Sequence, residues 1–219
     1  MSVWAIIPVK PLNRAKSRLA GVLTPDQRAE LAETLFRRVL EVVRAVPQIA
    51  GTLVISRDTR ALAIARDAKV HTVQESGAPE LNTALMRATQ VVGGWRGGAV
   101  LILPADLPLV TPEDLRDLIR LGMEDRSVII ATDRTQNGTN AMLVRPPGLI
   151  PYTYGEGSFH RHLAAAELVG ANVQVYHSER LMLDIDMPED LELYYQLSAK
   201  DPSLPLISLN GARYESPAE

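Results

Sequence analysis

The segment from Ala99 to Pro108 reads Ala-Val-Leu-Ile-Leu-Pro-Ala-Asp-Leu-Pro, and it limits the folds open to this chain more than any other stretch. Four large apolar residues in succession end at Pro104, and Gly97-Gly98 stand before them. A continuous apolar run bounded in this way predicts a strand buried on both faces, as in a parallel sheet covered by helices. Open α/β sheets bind their ligands beyond the carboxyl ends of the strands. Asp106 falls there, on a backbone stiffened by Pro104 and Pro108, whose rings fix φ. A carboxylate so placed suits a metal ion held over a phosphate. Opening a turn accounts for it equally well.

The rest of the chain supplies the strands and helices that such a sheet needs. Residues 3–9 predict a strand. Thr24-Pro25-Asp26-Gln27 predicts a helix start, with Thr24 as N-cap, Pro25 at N1 and Gln27 closing a capping box. Leu31, Leu35, Val39, Val42 and Val46 follow at helical spacing as far as Pro47. Strands are expected at 52–56 and 70–73, and helices at 59–67 and 80–92. Thr111-Pro112 starts a helix to about Leu121, with strands expected at 127–132 and 140–144. Ser158 is expected to cap a helix to about Val169, followed by strands at 172–176 and 181–185 and a last helix from Pro188. The β-α-β order predicts an α/β fold, a mixed but mostly parallel sheet with helices on both faces. A single domain is expected over 1–199, with an irregular tail over 200–219 that carries Pro202, Pro205 and Pro217.

Composition narrows the function classes. At 219 residues the chain can bury a substantial core. A net charge of −3 argues against wholesale binding to nucleic acid or to an anionic membrane. With no cysteine there is no disulfide, thiolate metal site or cysteine nucleophile. Met1 to Pro8 has no basic n-region and too short an apolar run for a signal peptide, so a cytoplasmic location is expected. The four histidines show no metal or triad spacing, and His160 and His162, at i and i+2, share no helix face.

Three charged or polar segments stand out. Val9 to Leu19 carries Lys10, Arg14, Lys16 and Arg18 and no acid, at the carboxyl end of the first strand. Such clustering suits a triphosphate, although a solvated basic loop would read the same. Neither a P-loop nor a Gly-x-Gly-x-x-Gly pattern is present there. In an extended strand Asp184 and Asp186 point to one face, and Asp186 together with Asp106 would complete an oxygen-rich Mg²⁺ site. Capping of the last helix explains part of the same segment. Asn137-Gly138-Thr139-Asn140 and Gly155-Glu156-Gly157-Ser158 are glycine-punctuated turns, and the second leads into a helix whose first N–H groups can hold an anion. Two ordinary turns would look alike.

Taken in order, Ile7-Pro8-Val9-Lys10, Ala15-Lys16-Ser17-Arg18-Leu19, Val54 to Asp58, Leu81-Asn82-Thr83-Ala84-Leu85, Pro104 to Pro108, Asn137 to Asn140, Gly155 to Phe159 and Asp184-Ile185-Asp186 resemble the guanylyltransferases of coenzyme F-420 biosynthesis. That family acts on phosphoenolpyruvate or 2-phospho-L-lactate. The resemblance runs from Ile7 to about Leu191 and implies a nucleotidyltransferase fold related to type A glycosyltransferases. The wider group often carries a glycine-rich signature loop, whereas this chain has Asn-Arg-Ala-Lys-Ser-Arg at 13–18. The implied reaction moves GMP from GTP to a phospho-acid and releases pyrophosphate, with phosphoenolpyruvate as the expected acceptor. 2-Phospho-L-lactate, another nucleotide-sugar nucleotidyltransferase and a non-catalytic GTP-binding subunit remain as alternatives.

By position, the resemblance places Lys16 and Asp106 at the reacting phosphates, and Lys10, Arg14, Arg18, Leu81 and Asn82 on the nucleotide. It assigns Asp106, Asp186 and Asp184 to Mg²⁺, and Thr139, Gly155 and Ser158 to the acceptor. A homodimer is the expected assembly if the chain is not monomeric. The implied chemistry asks for no histidine or cysteine nucleophile, because an acceptor phosphate is already ionised at neutral pH and needs alignment and charge compensation.

Overall fold

A computed structural model describes residues 2–76, 80–201, 204, 207 and 209. Seven strands form one sheet in the order β3-β2-β1-β4-β6-β5-β7. They are β1 (Val3–Val9), β2 (Ile49–Ser56), β3 (His71–Gln74), β4 (Ala99–Ile102), β5 (Ser127–Thr132), β6 (Thr139–Arg145) and β7 (Asn172–Val175). β1 pairs in parallel with β2 and β4, β2 with β3, and β5 with β7, while β6 runs antiparallel to both β4 and β5. The sheet is therefore mixed and mostly parallel, as expected. The reversal of β6 matters for the site. It carries the first residues of that strand, Thr139 and Asn140, to the same rim as the carboxyl ends of β1 and β4.

Among the described residues seven helices flank the sheet: α1 (Pro25–Arg44), α2 (Thr59–Asp67), α3 (Leu81–Gly94), α4 (Pro112–Leu121), α5 (Ser158–Leu168), α6 (Glu179–Met182) and α7 (Pro188–Lys200). The α1 start has both halves of its capping box, with Thr24 N–H donating to Gln27 Oε1 at 2.9 Å and Gln27 N–H to Thr24 Oγ1 at 3.3 Å. Strand residues alternate between two cores. Ala5, Ile7 and Leu101 pack with Phe36, Leu62 and Leu118 on one face, and Ile6, Val100 and Ile102 pack with Leu85, Ala88 and Phe159 on the other. Helices thus cover both faces. Among the described residues no helix is long and apolar enough to cross a membrane.

Two local expectations are corrected. Residues 181–185 do not form a strand: Glu179–Met182 make a helical turn whose Ser178 hydroxyl accepts from Leu181 N–H. Residues 183–186 are then unpaired in the sheet, yet Leu183 and Ile185 are buried while Asp184 and Asp186 are partly exposed. The chain here crosses the strand ends, so alternation survives without a ladder partner. Its register comes from Ile185 N–H, which donates to the Asp106 carbonyl at 3.2 Å. Nor does Ser158 cap α5. It is the first helical residue, and Gly157, at φ +71, occupies the cap position. Of the tail expected over 200–219, Lys200 ends α7, and Ile207 and Leu209 are buried beside Tyr194. Pro202, Pro205 and Pro217 lie outside the described residues.

Candidate functional site

The basic loop leaves β1 through two single 3-10 turns, 12–14 and 17–19, because its apolar residues Leu12, Ala15 and Leu19 turn into the core. Asp58, which also caps α2, accepts the Leu12 N–H at 2.7 Å and pins the loop to the end of β2. Between the turns Lys16 adopts the left-handed conformation, at φ 54 and ψ 36. For a residue with a Cβ this costs about 1 kcal/mol, a strain typical of functional loops. The conformation sends a lysine with a side chain only 5% exposed toward two acids. Its ammonium lies 2.8 Å from Asp106 Oδ2 and 3.9 Å from Asp186 Oδ1, and Arg18 Nη1 donates to Asp186 Oδ2 at 2.6 Å.

Asp106, from the loop after β4, and Asp186, from the crossing segment before α7, therefore meet at one buried ammonium. Asp184 lies deeper. Its Oδ1 accepts from Asn140 Nδ2 at 3.2 Å, and the same Nδ2 donates to the Leu181 carbonyl at 2.9 Å. Burial, and then the neighbouring charge of Asp106, push the Asp184 carboxyl up to about 6. Among the described residues no three His, Asp or Glu side chains form a ready-made metal cluster. The donor set nonetheless fits Mg²⁺. It is all oxygen, and a hard octahedral ion is commonly held by one or two carboxylates with phosphates and water completing the shell. Asp106 and Asp186 are the partly open pair, with side chains 30% and 37% exposed.

Lys16, Asp106 and Asp186 line one end of a cavity of about 450 Å³ that also takes in Lys10, Arg14, Leu12, Leu81 and Tyr154, while Arg18 and Asp184 lie outside its lining. Sheet order sets its long axis. Glu75 follows β3, Arg57 follows β2, the basic loop follows β1, and Asp106 follows β4. The cavity thus spans the ends of four adjacent strands. Leu81 forms part of its wall. Asn82 engages the backbone of Tyr154 instead, accepting from Tyr154 N–H at 2.7 Å and donating to its carbonyl at 3.3 Å. Of the two residues expected at the nucleoside, one lines the space and the other ties α3 to the segment before α5.

Thr139, Gly155 and Ser158 gather around the start of α5. Gly155 and Gly157 have φ +123 and +71, positions that a Cβ would strain. The first two amides of α5 are already engaged, which narrows the anion site read from the turn. Ser158 N–H donates to the Gly155 carbonyl at 3.0 Å, and Phe159 N–H to the Asn137 carbonyl at 3.1 Å. Polarity at this spot comes from side chains. Ser158 Oγ–H donates to Thr139 Oγ1 at 3.2 Å, and His162 Nδ1 lies 3.0 Å from that same oxygen. Thr153 N–H donates to His162 Nε2 at 2.9 Å, so the ring proton resides on Nδ1, which donates to Thr139. The Tyr154 ring stands edge-on to His162, with centroids 5.0 Å apart, and links this cluster to the cavity.

His162 escaped the sequence reading. Its usable signal was the i,i+4 spacing from Ser158, which puts both side chains on one helix face. Burial, and then the Arg161 charge, lower its pKa to about 4. The unfolded chain therefore takes up a proton near pH 6.5 that the folded chain refuses until about pH 4. The stability that neutral His162 contributes is complete above 6.5 and fades as pH falls through that window, by roughly 3 kcal/mol in all. His162→Gln, followed by urea unfolding at several pH values, should flatten this part of the acid limb. An unchanged slope would place the dependence elsewhere.

The chain matches the protein-family model described as guanylyl transferase CofC like over residues 3–197. A phosphoenolpyruvate guanylyltransferase from Rubrobacter xylanophilus is 41% identical over 191 residues, covering 87% of this chain and 92% of that one. A 2-phospho-L-lactate guanylyltransferase from Methanocaldococcus fervens is 32% identical over 187 residues, covering 85% and 81%. Among solved structures, one described as a nucleotide-diphospho-sugar transferase from Desulfovibrio desulfuricans superposes with a TM-score of 0.74, covering 92% of this chain and 90% of that one. At 16% identity, that last likeness is one of fold.

Proposed function

The chain belongs to the CofC-like guanylyltransferase family, and we propose on that premise that it transfers GMP from GTP to the phosphate of phosphoenolpyruvate. The products are enolpyruvoyl-2-diphospho-5'-guanosine and pyrophosphate, a step that fits coenzyme F-420 biosynthesis in the cytoplasm. The observation that carries this reading is the convergence of Asp106, Asp186 and Lys16 at the strand ends, within a cavity lined by further cations. The choice of acceptor follows the relative at 41% identity rather than the one at 32%.

In the proposed reaction an acceptor phosphate oxygen attacks the α-phosphorus of GTP. The bond from that phosphorus to the β-bridging oxygen breaks, and pyrophosphate leaves with the electron pair. Lys16 would donate from its ammonium to the reacting phosphates, with Lys10 and Arg14 of the cavity lining, and Arg18 from its place on Asp186, offsetting charge further along the triphosphate. Asp106 and Asp186 would hold Mg²⁺, with Asp184 behind them. When bound, the ion neutralises phosphate charge and aligns the two substrates. Thr139, Gly155 and Ser158 would receive the acceptor, with the Thr139 hydroxyl proton, not engaged by Ser158 or His162, offered to its anionic groups. No general base is needed for a nucleophile that is already ionised.

The test supplies Mg²⁺ with GTP or ATP and with phosphoenolpyruvate or 2-phospho-L-lactate, and follows pyrophosphate. Release is expected with GTP and phosphoenolpyruvate together. Faster release with 2-phospho-L-lactate would reassign the acceptor. No release in any combination would end the proposal.

A further inference from the structure

We propose that Glu75 is the residue that selects guanine, by accepting hydrogen bonds from the base at the β3 end of the cavity. This rests on the GTP-dependent reading above and extends it to the choice of base. The argument starts from the sheet. Phosphate-binding cations and the acids Asp106 and Asp186 belong to the ends of β1 and β4 and the segment crossing them. Glu75 stands just past β3, three inter-strand steps from β4, or about 14 Å. A nucleoside extended from phosphates over β1 and β4 reaches toward that end. Between the two, the lining is largely apolar, with Leu12, Ile55, Leu81, Ala84 and Leu85 beside the Arg57 that anchors Glu75. Such walls suit the faces of a base and strengthen polar contacts at its edge by excluding water.

Among the described residues four carboxylates line the cavity: Glu75, Glu80, Asp106 and Asp186. Glu80 is committed to capping α3, accepting from Asn82 N–H at 2.9 Å and Thr83 N–H at 2.5 Å. Asp106 and Asp186 face Lys16 and Arg18. Glu75 has neither duty. Its own N–H donates to the Ser56 carbonyl at 2.9 Å, and Arg57 Nε lies 3.3 Å from its Oε1. Backbone and side chain are thus both anchored to the end of β2, and the side chain is only 15% exposed.

The chemistry then points to one base. A planar carboxylate accepts two hydrogen bonds side by side and donates none. Guanine presents two adjacent donors, N1–H and N2–H, on one edge. Adenine presents an acceptor at N1, which would face the carboxylate without a proton. Hypoxanthine keeps N1–H and lacks the amino group. A site that leaves a buried polar group unpaired rejects the wrong ligand strongly.

The experiment measures kcat/KM for GTP, inosine triphosphate and ATP at fixed acceptor and Mg²⁺, for the wild type, Glu75→Gln and Glu75→Asp, with melting curves for each. The wild type is expected to favour GTP over inosine triphosphate by at least about tenfold and over ATP by at least about a hundredfold. In Glu75→Gln the GTP value should fall by about a hundredfold, mostly through KM for the nucleotide, and the ratio of GTP to inosine triphosphate should approach unity. Glu75→Asp, which keeps the charge and shortens the reach, should fall between, and it stands in if the glutamine variant does not fold. KM for the acceptor should not move. A wild-type ratio retained in both variants overturns the assignment of Glu75 while leaving guanylyl transfer intact. Wild-type protein inactive with all three nucleotides overturns the underlying reading itself.

Discussion

Asp106→Ala is expected to lower guanylyl transfer at saturating Mg²⁺ by at least about a hundredfold, the usual effect of removing a key electrostatic group. The geometry explains why one side chain should matter so much. Asp106 is held on a backbone bonded to Ile185 N–H and lies 2.8 Å from the Lys16 ammonium. Its removal takes away a proposed Mg²⁺ ligand and leaves Lys16 with Asp186 at 3.9 Å. Folding should survive, because the Asp106 side chain is 30% exposed and sits on a loop beyond the sheet. Asp106→Asn separates charge from packing. It preserves size and an acceptor for Lys16, yet should lose turnover to a similar degree. Near wild-type rates in the alanine variant would remove Asp106 from the reacting centre.

The largest stability effect should come from Asp114, far from any proposed substrate. This carboxylate is fully buried and accepts from Arg180 Nε and Nη2 at 2.8 and 2.9 Å, Ser178 Oγ at 2.6 Å, and Thr111 N–H and Oγ1 at 3.0 and 2.6 Å. Burial alone would raise its pKa. The hydrogen bonds from Arg180, Ser178 and Thr111 outweigh that and hold it below the ordinary carboxylate value. Asp114→Ala should cost about 3 kcal/mol, lowering Tm by about 6 to 12 °C. That sits at the low end for a broken buried pair, because the Arg180 side chain is 41% exposed and can recover hydration. The carboxylate contributes above the unfolded pKa near 4, and its contribution is lost as pH falls through the lower folded value. The deficit of the variant should therefore shrink in acid. Equal denaturant midpoints at neutral pH would show that the network adds nothing. Because Ser178 and Arg180 lead directly into the segment carrying Asp184 and Asp186, weaker Mg²⁺-dependent activity in this variant is expected as a secondary effect.

Much of the architecture was legible from local pattern. β1, α2 and β5 begin and end at the residues expected, since each pairs a clear apolar period with a clean stop. Paired Thr-Pro starts gave α1 and α4 unambiguous beginnings, and both carry complete capping boxes. The misreadings share a cause. Leu181 to Ile185 alternates like a strand because its odd members are buried, but the partner is the rim of the sheet rather than a neighbouring ladder. Ser158 looks like a cap by residue type, whereas its hydroxyl is taken by Thr139. Val46 continues the helical period and is buried, yet α1 stops at Arg44.

Order along the chain, periodicity and turn chemistry were enough to indicate the fold class, because they are local properties, while the family and the residues worth watching came from the resemblance of the motif series. Folding alone arranged those residues in space. The left-handed turn that delivers Lys16 to Asp106, the reversal of β6 that brings Thr139 to the rim, and the diversion of Asn82 onto Tyr154 are long-range pairings. The hydrogen-bond partner that sets the His162 tautomer, nine residues away, is also settled only on folding. Such contacts depend on which strand ends become neighbours, and a one-dimensional pattern carries no record of that adjacency.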